Sequence, residues 1–376
     1  MQRRPNVKVI SERRLVIGIL FGGKSAEHEV ALQSARSIVA ALDRKKYEII
    51  LIGIAKDGLW YRHGPSRFLA NADDPSRIRL FGRGEKVTVV PGRDGAELVA
   101  LSGRRGAVKL DAVFPMLHGP YGEDGTVQGM LKLSGVPFVG ASVLGSAVGM
   151  DKDVMKRLLR DARLPVGKFI VYRRGRRREI SFDGARRAVG LPMFCKPANM
   201  GSSVGINKVR SRKEFDFAIR EAFRYDDKVI VEEFVAGREI ECSVLGNEDP
   251  VASLPGEIIP RHEFYSYEAK YIDDKGAALE IPAKLPPAIV KRVQDISVRS
   301  YRALCCEGMA RVDLFLRGKG EVLVNEINTI PGFTKISMYP KLWEASGLSY
   351  GRLLDRLIAL ALERHGSEKK LDTSRL

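Results

Sequence analysis

The segment Leu15 to Phe21 reads LVIGILF, stops at Gly22-Gly23, and constrains the fold more than any other stretch. A continuous apolar run bounded by glycine reads as a strand buried on both faces. Glu29 to Leu42 follows with helical apolar spacing at Val30, Ile38, Val39 and Leu42, and Tyr47 to Ala55 is a second strand. Two parallel strands need a crossover, so strand, helix and strand in this order specify a parallel βαβ unit. The chain opens as an α/β domain.

Residues 56–110 are rich in Gly, Arg and Asp, with a strand-like patch at Val87 to Val90, and read as a basic insertion on that domain. Asp111 to Leu117 returns as a strand and Gly125 to Leu133 as a helix. Near Met150 the texture changes to a charged helix, Asp151 to Asp161, and then to shorter strands and hairpins from Pro165. An amphipathic helix carries Ile289, Val290, Val293, Ile296, Tyr301 and Leu304 on one side. It leads into two strands, Ala310 to Leu316 and Glu321 to Asn328, joined by a tight RGKG turn. The polar tail from Gly366 is expected to fray.

At about 150 residues per domain, 376 residues suit two or three domains. A 44% hydrophobic and 29% charged composition supports a packed core. No apolar run approaches the roughly 20 residues that cross a bilayer. The basic N-terminus, MQRRPNVKVISERR, lacks the apolar core and cleavage site of a secretory signal. A soluble, cytoplasmic protein is the expectation. The net charge of +17 gathers at Arg3, Arg4, Arg13 and Arg14, at Arg104 and Arg105, and at Arg173, Arg174, Arg176, Arg177 and Arg178. No aromatic residues interleave these clusters for base stacking, so they read as solvated surface rather than a nucleic-acid site. Cys195, Cys242, Cys305 and Cys306 form no CxxC pair and no zinc-spaced cluster, which suits thiols in a reducing compartment.

Three motifs carry chemistry. Gly18 to Ser25 matches GxxxxGK[ST], but Ile19, Leu20 and Phe21 sit where a phosphate loop should be and belong to the buried strand. That match is set aside. In MFCKPANMGSSVGINKV, strand-like residues flank Met200 to Gly205 on both sides, making a glycine-rich hairpin whose N–H groups and hydroxyls can approach an anion. Lys196 would reach the same phosphates. In the last strand pair, alternation puts Arg311 and Asp313 on one face and Glu326 and Asn328 on one face. A turn centred on Gly318 and Lys319 would set Arg311 opposite Glu326, with Asp313 diagonal to it. Such charge on an otherwise apolar sheet is costly without a ligand, and oxygen donors of this kind suit Mg²⁺ bridging nucleotide phosphates. An Arg311–Glu326 salt bridge is the plain alternative.

With these residues in view, the sequence resembles the D-alanine-D-alanine ligases of the ATP-grasp superfamily. The resemblance rests on FGGKSAEHEVALQSA at Phe21, LHGPYGEDGTVQG at Leu117, MDKDVMK at Met150 and KPANMGSSVG at Lys196. VEEFVAGREIE at Val231, YSYEAKY at Tyr265, GMARVDLF at Gly308 and NEINTIPGFTKISMYPKLW at Asn325 complete it, in family order from about Leu15 to Glu363.

The resemblance implies an α/β ATP-grasp fold of three domains. Residues 1–150 would bind substrate, and 151–242 and 243–376 would be α+β domains clasping ATP, the last with the metal site and lid. It implies that Lys152, Lys196, Ser202, Ser203, Lys270 and Asn325 contact ATP and that Gly201 to Gly205 covers its phosphates. Glu232, Glu233, Phe234 and Val235 would form the adenine hinge, with Glu239 at the ribose. Asp313, Glu326 and Asn328 would hold two Mg²⁺ ions, replaceable by Mn²⁺, with K⁺ activation left open. Glu27 would receive the first D-alanine's amino group, with Ser202 and Tyr271 tying a lid, Pro260 to Lys275, to it. His118 would lie near that substrate's carboxylate. Arg311 and the Gly332 N–H would stabilise the tetrahedral intermediate, and Ser337 and Met338 would bind the second carboxylate.

The implied activity is ATP-dependent D-alanyl-D-alanine synthesis through an acyl phosphate, for peptidoglycan. The implied setting is a cytoplasmic homodimer without membrane or nucleic-acid partners. D-lactate or D-serine as second substrate, a P-loop NTPase using Lys24, and a nucleic-acid-binding module are the other readings.

Overall fold

A computed structural model describes residues 13–65, 67–92, 95–102, 106–260, 277–318, 320–334 and 336–372. Arg3, Arg4, Arg104, Arg105, Lys270, Tyr271 and the lid beyond Pro260 lie outside these residues. The described residues build three main sheets.

The first contains β1 (Leu15–Gly22), β2 (Tyr47–Ile54), β3 (Trp60–His63), β6 (Glu85–Gly92), β7 (Gly95–Ala100), β8 (Val108–Lys109) and β9 (Ala112–Leu117). A separate ribbon pairs β4 (Leu69–Ala70) with β5 (Arg79–Leu80). The strand order is β8-β7-β6-β3-β2-β1-β9. α1 (His28–Ala41) crosses from β1 to a parallel β2, and β9 lies parallel on the other side of β1. The apolar run of β1 is buried from Val16 onward, as its composition requires.

Residues 56–110 are not an insertion apart from this sheet. β3, β6, β7 and β8 extend it in antiparallel fashion. Alternate residues such as Val87, Val89, Ala96 and Leu98 are buried. The polar residues between them face outward and hide the strands from any test of mean apolarity.

α2 (Thr126–Leu133), α3 (Val143–Met150) and α4 (Lys152–Asp161) lead to the second sheet. It holds β10 (Phe169–Arg173), β11 (Met193–Pro197), β12 (Asn207–Val209) and β13 (Lys228–Glu233), in the order β10-β13-β11-β12. α5 (Phe182–Val189) and α6 (Arg212–Ala222) pack Phe182, Phe215 and Ile219 against Met193, Val229 and Val231. Ser181 and Ser211 cap the two helices by accepting N–H bonds from Gly184 and Glu214.

The third sheet contains β14 (Arg238–Gly246), β15 (Val251–Ala252), β16 (Gly256–Pro260), β17 (Ala277–Glu280), β18 (Gly308–Arg317) and β19 (Glu321–Asn328). Its order is β17-β16-β14-β18-β19, with β15 on β14. α7 (Pro287–Ala303) covers one face through Val293, Ile296 and Tyr301, which share a core with Val312, Leu314, Val322 and Val324. The opposite face is left for Arg311, Asp313, Glu326 and Asn328.

The β18–β19 register differs from the expected one. Arg317 pairs with Glu321 across the turn, where Gly318 and Gly320 have φ of 53° and 111°; Lys319 lies outside the described residues. A bulge after Asp313 then shifts the pairing again. Asp313 stands directly opposite Glu326, and Arg311 opposite Asn328.

α8 (Met338–Ala345) and α9 (Tyr350–Glu368) close the chain. Leu353, Leu354, Leu357 and Ile358 of α9 join the core of Ile17, Ile19, Leu32, Ile38 and Phe114. The tail stays helical past Gly366, to Glu368. Two hydrogen bonds anchor the helix just before it: Arg364 is buried and donates to the Gly140 and Phe138 carbonyls at 2.5 and 2.7 Å.

Candidate active site

Two adjoining cavities lie between the sheets. The larger, about 310 Å³, is lined by Lys152, Lys196, Met200 to Ser203, Glu232 to Val235, Glu239, Phe315, Asn325 and Glu326. It gathers every described residue expected to contact nucleotide. Glycine-rich residues 200–205 form its flap, between antiparallel β11 and β12. Ser202 and Ser203 both adopt left-handed φ, 47° and 62°, which costs L-residues roughly 1–2 kcal/mol each and persists only where the surroundings hold it. Asp151 caps α4 by accepting from Asp153 and Val154 N–H, which puts Lys152 at the helix start facing the flap. Lys152 Nζ donates to the Met200 carbonyl at 2.8 Å and lies 3.5 Å from Glu326.

Glu232 differs in its surroundings from its three neighbours in the cavity lining. Its buried carboxylate sits between Lys196, at 2.6 Å, and Lys156, at 3.1 Å. Burial alone would raise Glu232, but the two ammonium groups outweigh it and hold the carboxyl below its usual range. Burial pushes Lys156 down; for Lys196, nearer to Glu232, the carboxylates win and it is raised. Glu233, one residue on, points to the other face of β13 and accepts the Lys168 N–H at 2.7 Å. Phe234 is 38% exposed, its ring under Lys208 Nζ at 4.2 Å. Replacing Glu232 by Ala leaves two lysines buried without their counter-ion, and is expected to cost about 3–5 kcal/mol. Phe234→Ala should cost far less stability. Thermal unfolding of both variants measures the difference, and equal losses would show that Glu232 is no ionic centre.

The smaller cavity, about 110 Å³, is lined by Glu27, His118, Glu123, Ser202, Glu241, Arg311, Gly332, Ser337 and Met338 among others. It thus brings together Glu27, His118, Ser202, Arg311, Gly332, Ser337 and Met338, the described residues expected to meet substrate. Glu27 precedes α1, where the helix dipole favours a carboxylate, and Ser202 Oγ donates to it, closing the flap onto the first domain. Ser337 precedes α8, whose first N–H groups form a natural carboxylate seat. Its Oγ also accepts the Thr334 N–H at 3.0 Å.

His118 Nδ1 bonds the Ile330 carbonyl at 3.0 Å, so that nitrogen carries the proton. Burial, then the Arg311 charge, push the ring down to about 4 and keep it neutral. Nε2 is buried without a protein partner and offers a lone pair. The side chain is therefore an acceptor, not a donor for a carboxylate.

Arg311 makes no bridge to Glu326. It grips Asp313 through two bonds, at 2.7 and 2.8 Å, and reaches Glu241 at 2.9 Å. Asn328 Nδ2 donates to Asp313 at 3.0 Å. Asp313, Glu239, Glu241 and Glu326 share a further small cavity. No group of three or more His, Cys, Asp or Glu side chains that could hold a metal occurs among the described residues. The residues that the resemblance named for a metal are two carboxylates and an amide. Lys24, of the discarded P-loop match, is exposed, with Nζ 5.7 Å from the Tyr121 ring centroid.

Comparison with known proteins bears on this arrangement. Residues 16–141 match the family model for the D-ala D-ala ligase N-terminus, and residues 158–359 that for its C-terminus. The chain belongs to the D-alanine-D-alanine ligase family. It is 54% identical over 359 residues to a D-alanine–D-alanine ligase of Oceanobacillus iheyensis, covering 96% of this chain and 98% of the relative. It is 51% identical over 361 residues to D-alanine–D-alanine ligase A of Escherichia coli K12, covering 96% and 99%. The D-alanine-D-alanine ligase of Coxiella burnetii superposes with a TM-score of 0.82 at 40% identity, covering 96% and 97%. VanG D-Ala:D-Ser ligase from Enterococcus faecalis gives 0.81 at 37%, covering 93% and 100%. These neighbours have the ATP-grasp fold, and so does this chain.

Three site residues escaped the sequence reading: Lys156, Glu241 and Glu123. Lys156 follows Lys152 by one helical turn and was visible as an i, i+4 pair on one face. Glu241 shares the strand face of Glu239 by alternation. Glu123 lies within LHGPYGEDGTVQG, but no periodicity or spacing singled it out. Among the described residues, no helix is long and apolar enough to cross a membrane.

Proposed function

We propose that this protein joins two D-alanine molecules into D-alanyl-D-alanine at the expense of ATP, supplying peptidoglycan synthesis in the cytoplasm as a homodimer. One observation carries the reading: the nucleotide cavity and the amino-acid cavity meet at Lys152, Ser202 and Glu326, which line both. A phosphoryl group handed from one cavity would arrive beside a carboxylate held in the other. The domain division at about residues 150 and 242 belongs to the same proposal.

A carboxylate is a poor electrophile, and phosphorylation makes it a good one. Lys152 and Lys196 neutralise phosphate oxygens under the flap, while residues 232–235 and Glu239 line the far end for adenine and ribose. Glu27 orients the first D-alanine by its ammonium. Asp313, Glu326 and Asn328 suit Mg²⁺ or Mn²⁺, which take one or two carboxylates plus phosphate oxygens and would stabilise charge on the transferring group. Arg311 and the Gly332 N–H face the oxyanion of the tetrahedral adduct. Ser337 and the start of α8 seat the second carboxylate. His118 Nε2 accepts a hydrogen bond from the incoming amine.

An ADP-release assay with D-alanine, L-alanine, D-serine and D-lactate, singly and in pairs, with and without K⁺, tests the reading. D-alanine alone should support turnover and dipeptide formation; L-alanine should not. Turnover that requires D-serine or D-lactate as partner would assign the second site differently. ATP hydrolysis indifferent to all four would overturn the proposal.

A further inference from the structure

Glu123 lines the amino-acid cavity beside Glu27 and His118, and nothing above gives it a task. Its two oxygens accept N–H groups from opposite sides. Oε2 takes Gly119, in its own turn, at 2.8 Å; Oε1 takes Ile330, more than two hundred residues away, at 3.2 Å. Ile330 in turn gives its carbonyl to His118. Both backbone groups of Ile330 are therefore held by the loop after β9. Ile330 stands between Asn328 and Gly332, and Pro331, with its restricted φ, leaves little slack between the anchor and the Gly332 N–H.

We propose that Glu123 is a positioning residue whose carboxyl staples the Gly119 turn to Ile330 and so sets where the Gly332 N–H meets the tetrahedral adduct. This rests on the reading of Gly332 as an oxyanion donor given above. Gly119 is itself pressed against the site: at φ of 74°, a Cβ there would lie 2.8 Å from Glu27 Oε2. The staple thus fixes Gly332 relative to the residue that holds the first amino group. Burial, and after it the Glu27 carboxylate, push the Glu123 carboxyl up; the Gly119 and Ile330 N–H bonds and the Arg311 charge oppose the rise.

An amide offers one acceptor oxygen, so Glu123→Gln loses one of the two bonds and turns a donor toward a donor. Aspartate keeps both acceptors but is a methylene too short to span them. Purified wild type, Glu123→Gln and Glu123→Asp would be compared in three measurements. The first is oxygen-isotope scrambling within ATP in the presence of D-alanine, which reports reversible acyl-phosphate formation. The second is steady-state dipeptide synthesis; the third is thermal unfolding.

Loss of an oxyanion-hole donor costs about 10²–10³-fold, and a displaced one should cost about 10–100-fold. Dipeptide kcat should fall by that factor in both variants while scrambling and the KM for ATP stay within about twofold of wild type. Binding of a phosphinate mimic of the tetrahedral adduct should weaken by the same factor. A kcat within twofold of wild type would overturn the proposal. So would equal losses of scrambling and synthesis, which mark a general structural defect. If Glu123→Gln does not fold, the aspartate variant decides by the same criteria. A wild type that makes no dipeptide from D-alanine would instead sink the functional reading.

Discussion

Glu326→Gln and Asp313→Asn should each depress dipeptide synthesis by more than about 100-fold while the protein stays folded. Both replacements keep side-chain size and remove the charge that a hard cation requires. Even outer-shell partners of a metal are worth about 10–100-fold, so direct oxygen donors should cost more. The register makes the two carboxylates a single site, since Asp313 faces Glu326 across β18 and β19. They differ in what else they hold. Asp313 also engages Arg311 and Asn328, whereas Glu326 lies 3.5 Å from Lys152. Asp313→Asn should therefore also loosen Arg311, which loses a charged partner on its own strand. ADP release measured across a Mg²⁺ series, beside thermal unfolding, checks both. Near-normal turnover of either variant at ordinary Mg²⁺ would show that this strand pair is no metal site.

The second large effect separates two lysines from a third. Lys152→Ala and Lys196→Ala should each lower turnover by about 10²–10³-fold, because phosphoryl transfer depends on placed positive charge more than on any covalent partner. Lys196→Ala also leaves Glu232 with Lys156 alone, so its thermal midpoint should drop. Lys152 is poised at the junction of both cavities, and its loss should spare the fold more. Lys24→Ala should leave kcat and the KM for ATP within about twofold, since Lys24 is exposed against Tyr121. Activity lost with Lys24 and retained without Lys152 would restore the P-loop reading.

Much of this protein is legible in its sequence. A seven-residue apolar run ended by paired glycines is too short for a buried helix and reads as a buried strand, and a helix between two such runs supplies the crossover of a parallel pair. The β1–α1–β2 unit followed from local pattern alone. So did the rejection of the P-loop match, because β1 consumes the residues a phosphate loop would need. The hairpin character of residues 200–205 was visible in the strand residues on either side. These features depend on neighbours in the chain.

What remained hidden depends on partners far along it. Alternation placed Arg311, Asp313, Glu326 and Asn328 on sheet faces, but a three-residue turn and a bulge decided which side chains stand opposite. Glu232 and Glu233 are adjacent and alike in sequence. Only Lys156 from α4 and Lys196 from the neighbouring strand β11 make the first a buried counter-ion, and only the Lys168 N–H makes the second a backbone acceptor. His118 is a histidine in any reading, and it took the Ile330 carbonyl to choose its proton-bearing nitrogen. Residue type and period are written into the chain because they act over a few residues. Register, tautomer and ionic partnership come from contacts across tens to hundreds of residues, and the packed tertiary structure alone determines those.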